Sequence, residues 1–257
     1  MFCLYLKFYE TKINRLRNWE KVFSDIRKSA PYLSIYIWIE SQKHPDELIE
    51  HNPYNLIFVT HANKKEFCKD IDKKDILVDN MSFSVGMNYG NHKICRAHMR
   101  SFFIPKEEFI YHLDGDDMFY LNLTYEMLLR GVKYMKQNNK TIIARPYWIT
   151  VERGFSFGFI LQKKSFADKL LYDIINNMPD EYKYEGFFNK NLDITKNMNC
   201  DNLFGMILFN YLKLNYKDVF FAFKESPDWH MALSINEPFI NKITTKQFNE
   251  KYEIPLI

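Results

Sequence analysis

Apolar and polar positions along this chain switch between a two-residue and a three-to-four-residue period, and the switches mark out its elements. Residues 2–9, FCLYLKFY, form a short apolar run rich in β-formers and predict a buried first strand. Thr11 then opens a helix to about Ser29, with Ile13, Leu16, Val22, Phe23 and Ile26 on its inner face, and Pro31 stops it. LSIYIWI at 33–39 predicts a second strand ending in Glu40-Ser41. Pro45 to Glu50 predicts a short helix, since Pro suits a first helical turn, and NLIFVT at 55–60 predicts a third strand. The charged stretch 64–75 reads as helical or irregular, and ILVD at 76–79 as a brief strand. GMNYGN at 86–91 is a turn leading into a helix from His92 to Phe103. FIYHL at 109–113 is then a strand running straight into four residues of which three are Asp.

The second half has a different texture. A helix at about 124–137 precedes TIIARPYWITV and FSFGFILQKK, two strands that can pair antiparallel. Gly154-Phe-Ser-Phe-Gly158 between them reads as a hairpin turn, or as a small-residue gap where a ligand could approach the backbone, with Phe155 or Trp148 as a stacking platform. SFADKLLYDIINNM is an amphipathic helix, Pro179 to Asn199 a polar loop or lid, CDNLFGMILFNYL a helix, DVFFAF a strand, and Ser226 to Ile257 an irregular tail. Strands alternating with helices predict an α/β domain with a mainly parallel central sheet flanked by helices. With no internal repeat and no low-complexity linker, the expectation is one domain over 1–257.

Composition narrows the classes further. The chain's 257 residues suffice to bury a core without disulfides or a structural metal, and 47% hydrophobic with 26% charged residues excludes a disordered chain. A net charge of +3, evenly mixed along the chain, argues against nucleic acid. It suits an anionic ligand such as a nucleotide diphosphate, and equally a merely solvated surface. Cys3, Cys68, Cys95 and Cys200 are scattered and never spaced as C-x-x-C, which predicts reduced structural thiols in a cytosolic protein. No apolar run is long enough to cross a membrane, and charge interrupts the N-terminus too soon for a signal peptide. The expectation is a cytoplasmic protein; if it serves a membrane pathway, it does so peripherally, from the inner face.

Asp114-Gly115-Asp116-Asp117 carries the candidate chemistry. It places carboxylates at the carboxyl end of a strand, where open α/β sheets bind ligands. Hard oxygen ligands suit Mg²⁺ or Mn²⁺, and crowded carboxylates repel one another unless a divalent cation or nearby basic groups relieve them. The alternative is an acidic turn after a strand. An EF-hand is excluded, because Met118 and Tyr125 stand where oxygen ligands would be needed. A haloacid-dehalogenase-type phosphatase carries its strand-D-x-D on its first strand, whereas at least three strands precede this one.

From about Met87 to Tyr120 the chain resembles the GT-A type of nucleotide-sugar glycosyltransferase, in the large family that includes many bacterial polysaccharide transferases. The resembling features are Asn88 and Gly90 in a turn, Arg96-Ala97 on the following helix, and Leu113-Asp114-Gly-Asp116-Asp117 at a strand end. The order Arg-Ala replaces the family's Ala-Arg, and Phe8-Tyr9-Glu10 replaces its small-residue turn after the first strand. The resemblance implies a nucleotide-donor half at 1–120 and an acceptor half with a tail at 121–257. It implies that Asp114 contacts the ribose or a metal-bound water, and that Asp116 binds Mn²⁺ or Mg²⁺ bridging the diphosphate. Arg96 or Lys93 would neutralise the diphosphate charge, and Tyr9 and Glu40 would meet base and ribose. Asp201, at the start of a helix, would be the general base or simply that helix's cap. His230, beside Asp228 and Trp229, would be a further metal ligand or an ordinary packed residue.

The implied activity is transfer of a hexose or N-acetylhexosamine from a UDP-type donor to a glycan or glycolipid acceptor. Two alternatives remain open. One is a sugar-1-phosphate nucleotidyltransferase, against which FYETKINRLR lacks the expected glycine-rich loop. The other is a non-catalytic glycan-binding or assembly protein with the same fold.

Overall fold

The computed structural model describes residues 1–41, 50–68, 70–73, 100–115, 123–146, 155–176 and 219–221. The strands are β1 (Phe2–Tyr9), β2 (Ser34–Glu40), β3 (Ile57–Val59), β4 (Phe109–Asp114), β5 (Ile142–Pro146), β6 (Phe155–Lys163) and β7 (Val219–Phe221). They join in one seven-stranded sheet in the order β3-β2-β1-β4-β6-β5-β7. β1 pairs in parallel with β2 and β4, β2 with β3, and β5 with β7, while β6 runs antiparallel to both β4 and β5. The helices are α1 (Glu20–Ser29), α2 (Tyr125–Gln137) and α3 (Lys164–Asn176). This is the α/β fold with a mixed, mostly parallel sheet that the alternating pattern predicts.

The two faces of the sheet differ, and strand alternation decides which residues go where. Phe2, Leu4, Leu6 and Phe8 of β1 lie on one face with Ile35, Ile37 and Ile39 of β2 and with Phe109, Tyr111 and Leu113 of β4. Val22, Phe23 and Ile26 of α1 and Leu128, Val132 and Met135 of α2 complete that apolar core. Tyr111 donates from its hydroxyl to the Leu128 carbonyl at 2.6 Å, and Asp25 of α1 accepts from the Tyr125 N–H at the start of α2. The opposite face is also buried, but it carries Tyr5, Lys7, Trp38, His112 and Gln162. A strand covered on both sides reads as a near-continuous apolar run, which is why FCLYLKFY looks apolar throughout apart from Lys7.

One boundary departs from the expectation for a physical reason. Thr11 caps nothing: a 3-10 stretch from Glu10 to Trp19 follows β1 directly, with Tyr9 in the cap position and no side-chain cap bond. A three-residue repeat puts Ile13, Leu16 and Trp19 in one row, and Trp19 becomes fully buried. The third strand is shorter than 55–60. Asn55 is left-handed at φ 48°, and the Asn52 side chain clasps both the N–H and the carbonyl of Leu56, so pairing starts at Ile57. Phe155 and Gly158 belong to β6 rather than to a hairpin turn, and the irregularity of the β5–β6 pair falls between Ala144 and Arg145. Residues 101–103 form a turn. Six expected features lie outside the described residues: nearly all of the helix at 45–50, the strand at 76–79, the turn at 86–91 with most of the following helix, the polar loop at 179–199, the helix from 200, and the tail. No helix among the described residues is long and apolar enough to cross a membrane.

Arg27 ties the layers together. Its guanidinium donates to the carbonyls of Tyr54 (2.6 Å), Leu33 (2.7 Å), Pro31 (3.2 Å) and Asn55 (3.2 Å), joining α1 to the entries of β2 and β3. A planar fork of five donors suits this task, and an ammonium does not. Replacing it with Met should leave several half-buried carbonyls short of a donor, lowering stability by about 2–3 kcal/mol. Thermal denaturation of Arg27→Met should therefore show a Tm drop of roughly 5–10 °C, and Arg27→Lys should recover little of it.

Candidate functional site

Parallel register brings the carboxyl ends of β2, β1 and β4 side by side. Tyr9 stands opposite Glu40, and Lys7 stands between Trp38 and Asp114. These residues share the polar face, so a row of ionisable groups runs along the edge where open α/β sheets place their ligands. β4 is the middle strand of the seven.

Lys7 is 3% exposed, and its ammonium lies 3.1 Å from Asp114 Oδ1, the Asp114 side chain being 27% exposed. A lysine inside a sheet requires a compensating charge, and Asp114 supplies it. The next residue is locked by backbone geometry. The Gly115 N–H donates to the Lys7 carbonyl at 3.0 Å, and the Gly115 carbonyl accepts from Trp19 Nε1 at 2.8 Å. A Cβ at Gly115 would stand 2.6 Å from the Lys7 carbonyl oxygen and collide with the Phe8 ring. Glycine is thus required by close approach of the chain to β1, which fixes the backbone at Gly115.

Next to Lys7 on the same face, His112 pairs through Nδ1 with Ser101 Oγ at 2.7 Å, and its ring lies 5.4 Å from that of Tyr5. Burial, reinforced by the Lys7 charge, pushes the His112 imidazole well below its ordinary value, so it stands neutral.

A second cluster gathers around Glu40. Its Oε2 accepts from Trp38 Nε1 at 2.7 Å, its Oε1 lies 2.9 Å from His61 Nε2, and Arg100 Nη1 is 3.7 Å from Oε2. The Arg100 guanidinium lies over the Trp38 ring at 4.6 Å, and the His61 ring meets Trp38 edge-on at 5.1 Å. Burial alone would raise the Glu40 carboxyl; the His61 contact, the Arg100 charge and the Trp38 indole outweigh it and hold it below its ordinary value.

Tyr9, Glu40 and Asp114 of the expected site therefore share one edge of the sheet. Asp116, Lys93, Arg96, Asp201 and His230 lie outside the described residues. Among the described residues no three His, Cys, Asp or Glu side chains gather as a metal site. Asp114 offers one carboxylate at the strand end, a donor of the hard type that Mg²⁺ or Mn²⁺ takes. Sequence reasoning missed Lys7, Trp19, Arg100 and His61. A lone charge in an otherwise apolar strand points to Lys7, and the spacing 16, 19, 23, 26 points to Trp19. The strand-end rule that selects Tyr9 and Glu40 also reaches His61, just past β3; Arg100 left no signal.

No protein-family model matches the chain, and no curated protein matches it either. Among solved structures it is similar to a cytidylyltransferase from Leptospira borgpetersenii serovar Hardjo-bovis (9% identity, 82% of this chain and 95% of that one, TM-score 0.38). It is also similar to 4-diphosphocytidyl-2C-methyl-D-erythritol synthase from Anaerococcus prevotii (9% identity, 91% and 95%, TM-score 0.43). A third is the mannosyltransferase Ktr4p of S. cerevisiae, solved in complex with GDP (12% identity, 80% of this chain and 65% of that one, TM-score 0.42). Likeness at this level assigns neither an activity nor a ligand.

Two outcomes follow from the geometry. Gly115→Ala should destabilise by about 1–3 kcal/mol through overpacking. Adding Phe8→Leu should not restore stability, because the Lys7 carbonyl is backbone and cannot give way; thermal melts of the single and double variants decide this. Glu40 has a depressed pKa in the folded chain, so its contribution is complete above the unfolded carboxyl value of about 4.3 and is lost as pH falls through the folded value. Urea unfolding between neutral pH and about pH 3 should show stability falling with acid below about pH 4.3, with a shallower fall in Glu40→Gln.

Proposed function

We propose that this chain is a metal-dependent glycosyltransferase that moves a hexose or N-acetylhexosamine from a UDP sugar to a glycan or glycolipid acceptor. The observation that carries the reading is Asp114 at the carboxyl end of the middle strand, paired with buried Lys7 and followed by Gly115, which is locked against β1; Asp116 is the next residue in the sequence. A fixed departure point matters because transfer depends on holding the diphosphate in line with the acceptor hydroxyl. Asp114 and Asp116 would hold Mn²⁺ or Mg²⁺, with His230 as a further ligand; when bound, the ion neutralises charge on the leaving diphosphate. Lys93 and Arg96 would add positive charge on the same side.

In this reading the acceptor hydroxyl oxygen bonds to the anomeric carbon as the bond from that carbon to the diphosphate oxygen breaks. Asp201 takes the hydroxyl proton, and the nucleoside diphosphate leaves with the bonding electron pair. One displacement inverts the anomeric centre. FYETKINRLR, the stretch from the end of β1, lacks the glycine-rich loop on which nucleotidyl transfer relies, which argues against that alternative.

A thermal-shift screen of nucleoside di- and triphosphates, with and without Mn²⁺, tests the reading on wild type and Asp116→Ala. At about a hundredfold excess over Kd a true ligand stabilises by about 2.7 kcal/mol, a rise of roughly 5–10 °C for a chain of this size. The expected result is a Mn²⁺-dependent rise with a diphosphate, lost in the variant. No shift with any nucleotide, with or without metal, would sink the proposal and favour a glycan-binding protein. Pyrophosphate release from a triphosphate and a sugar phosphate would instead assign a nucleotidyltransferase.

A further inference from the structure

We propose that the helix layer over the apolar face of the sheet docks the protein onto an anionic phospholipid surface, through exposed lysine and arginine side chains and the ring of Tyr32. The inference stands independently of the transferase reading, because it uses none of the residues at the strand ends.

Positive charge is gathered on this side of the molecule. Glu10–Ser29 and Tyr125–Gln137, which supply the helices over the apolar face, hold nine Lys and Arg against four Asp and Glu. That is a net of +5 in a chain whose total is +3, so the remainder is net acidic. Two of these ionised groups are spent internally, Asp25 on the Tyr125 N–H and Arg27 on backbone carbonyls. Packing turns most of the others outward. In the 3-10 stretch Leu16 and Trp19 form the buried row, and Arg15 and Arg17 on the neighbouring rows are exposed. In α1, burial of Val22, Phe23 and Ile26 leaves Lys21 and Lys28 exposed on the far side, two turns and about 10 Å apart. On α2, Lys133 is exposed, while Arg130 and Lys136 face Glu126 and Glu108. Among the described residues no ion pair forms at Arg17, Lys21, Lys28 or Lys133. The two helices share one core and meet where Asp25 binds Tyr125, so their outer sides form one surface.

Tyr32 is a second, independent observation. It lies in the turn after α1 and is 96% exposed, one of three large hydrophobic side chains so displayed among the described residues. Arg27 donates to the carbonyls of Pro31 and Leu33 on either side of it, so the turn that presents the ring is fastened. An aromatic ring held out on a fixed turn near Lys28 suits a headgroup layer, where its body leaves water while its hydroxyl stays wet. A bilayer asks only for positive potential over a broad area, and each Lys or Arg near an anionic leaflet adds to binding. Charges spread over two helices meet that need, whereas a nucleic acid takes a concentrated basic stripe. The 3-10 stretch begins where β1 ends, and Trp19 ties it to Gly115, so this surface adjoins the strand end that carries Asp114.

Co-sedimentation with vesicles tests the proposal, using phosphatidylcholine alone and an equal mixture of phosphatidylcholine and phosphatidylglycerol. The wild type should sediment with the mixed vesicles and not with the neutral ones. Salt should release it, as the screening length shortens to about 3 Å at 1 M. A triple variant, Lys21→Gln, Lys28→Gln and Lys133→Gln, should bind on the order of a hundredfold more weakly, about fivefold for each charge. A matched triple variant, Lys65→Gln, Lys73→Gln and Lys106→Gln, loses the same charge at exposed positions outside the helix layer and should stay within about threefold of wild type. Tyr32→Ser should weaken binding severalfold at unchanged charge. Every substituted side chain is exposed, and wild-type melting temperatures would show that the variants are folded. Equal loss in the two triple variants, or no binding of the wild type to the mixed vesicles, overturns the proposal. Binding of duplex DNA or homopolymer RNA that the first triple variant loses, with vesicles ignored, assigns the face to nucleic acid and overturns it too. Undiminished binding of Tyr32→Ser overturns the part given to the ring.

Discussion

A lysine inside a strand that is buried on both faces can be kept charged only by bringing an opposite charge to it, and the architecture around the site follows from that need. Lys7 meets Asp114 because β1 and β4 pair in parallel with those two residues in register. The same pairing puts the Lys7 carbonyl where the Gly115 N–H can reach it, and the Gly115 carbonyl where Trp19 can. Trp19 belongs to the apolar core on the far side of the sheet. A single turn therefore joins the ion pair of one face to the packing of the other, and removing Asp114 would take from buried Lys7 the carboxylate that it faces at 3.1 Å.

The two faces divide the work. α1 and α2 close the apolar face, so most of the hydrophobic stabilisation is gathered there. The other face is buried but polar, which is tolerable only where each ionisable group is matched. Glu40 is matched by Trp38, His61 and Arg100, and Asp114 by Lys7. His112 solves the problem differently, by remaining neutral between Ser101 and the Lys7 charge. Groups held this way have a fixed orientation.

The strands were legible because each carries a dense apolar run, and β1 and β4 appear almost residue for residue where the pattern puts them. The helix after β1 was legible as helical but not in its start. The rows of a 3-10 stretch and of an α-helix share Leu16 and Trp19, so spacing alone could not separate them. The extent of β3 was hidden by Asn52 and Asn55, whose effect lies in a side-chain clasp and a left-handed backbone. For the site, the strand-end rule found Tyr9, Glu40 and Asp114 as residues of one edge. It was silent on what each would touch.

Strand periodicity, helix periodicity and the position of Asp114 after an apolar run were properties of the sequence by itself, because they depend on neighbours a few residues away. They settled an α/β fold and the end of the sheet that carries the acidic group. Tertiary structure alone decided that Lys7 faces Asp114, more than a hundred residues along the chain, and that Glu40 is enclosed by Trp38, His61 and Arg100. Those pairings depend on strand order and register, in which a shift of one residue would send every one of these side chains to the opposite face. The apolar pattern constrains that register, but only the packed sheet reveals which charges it brings together.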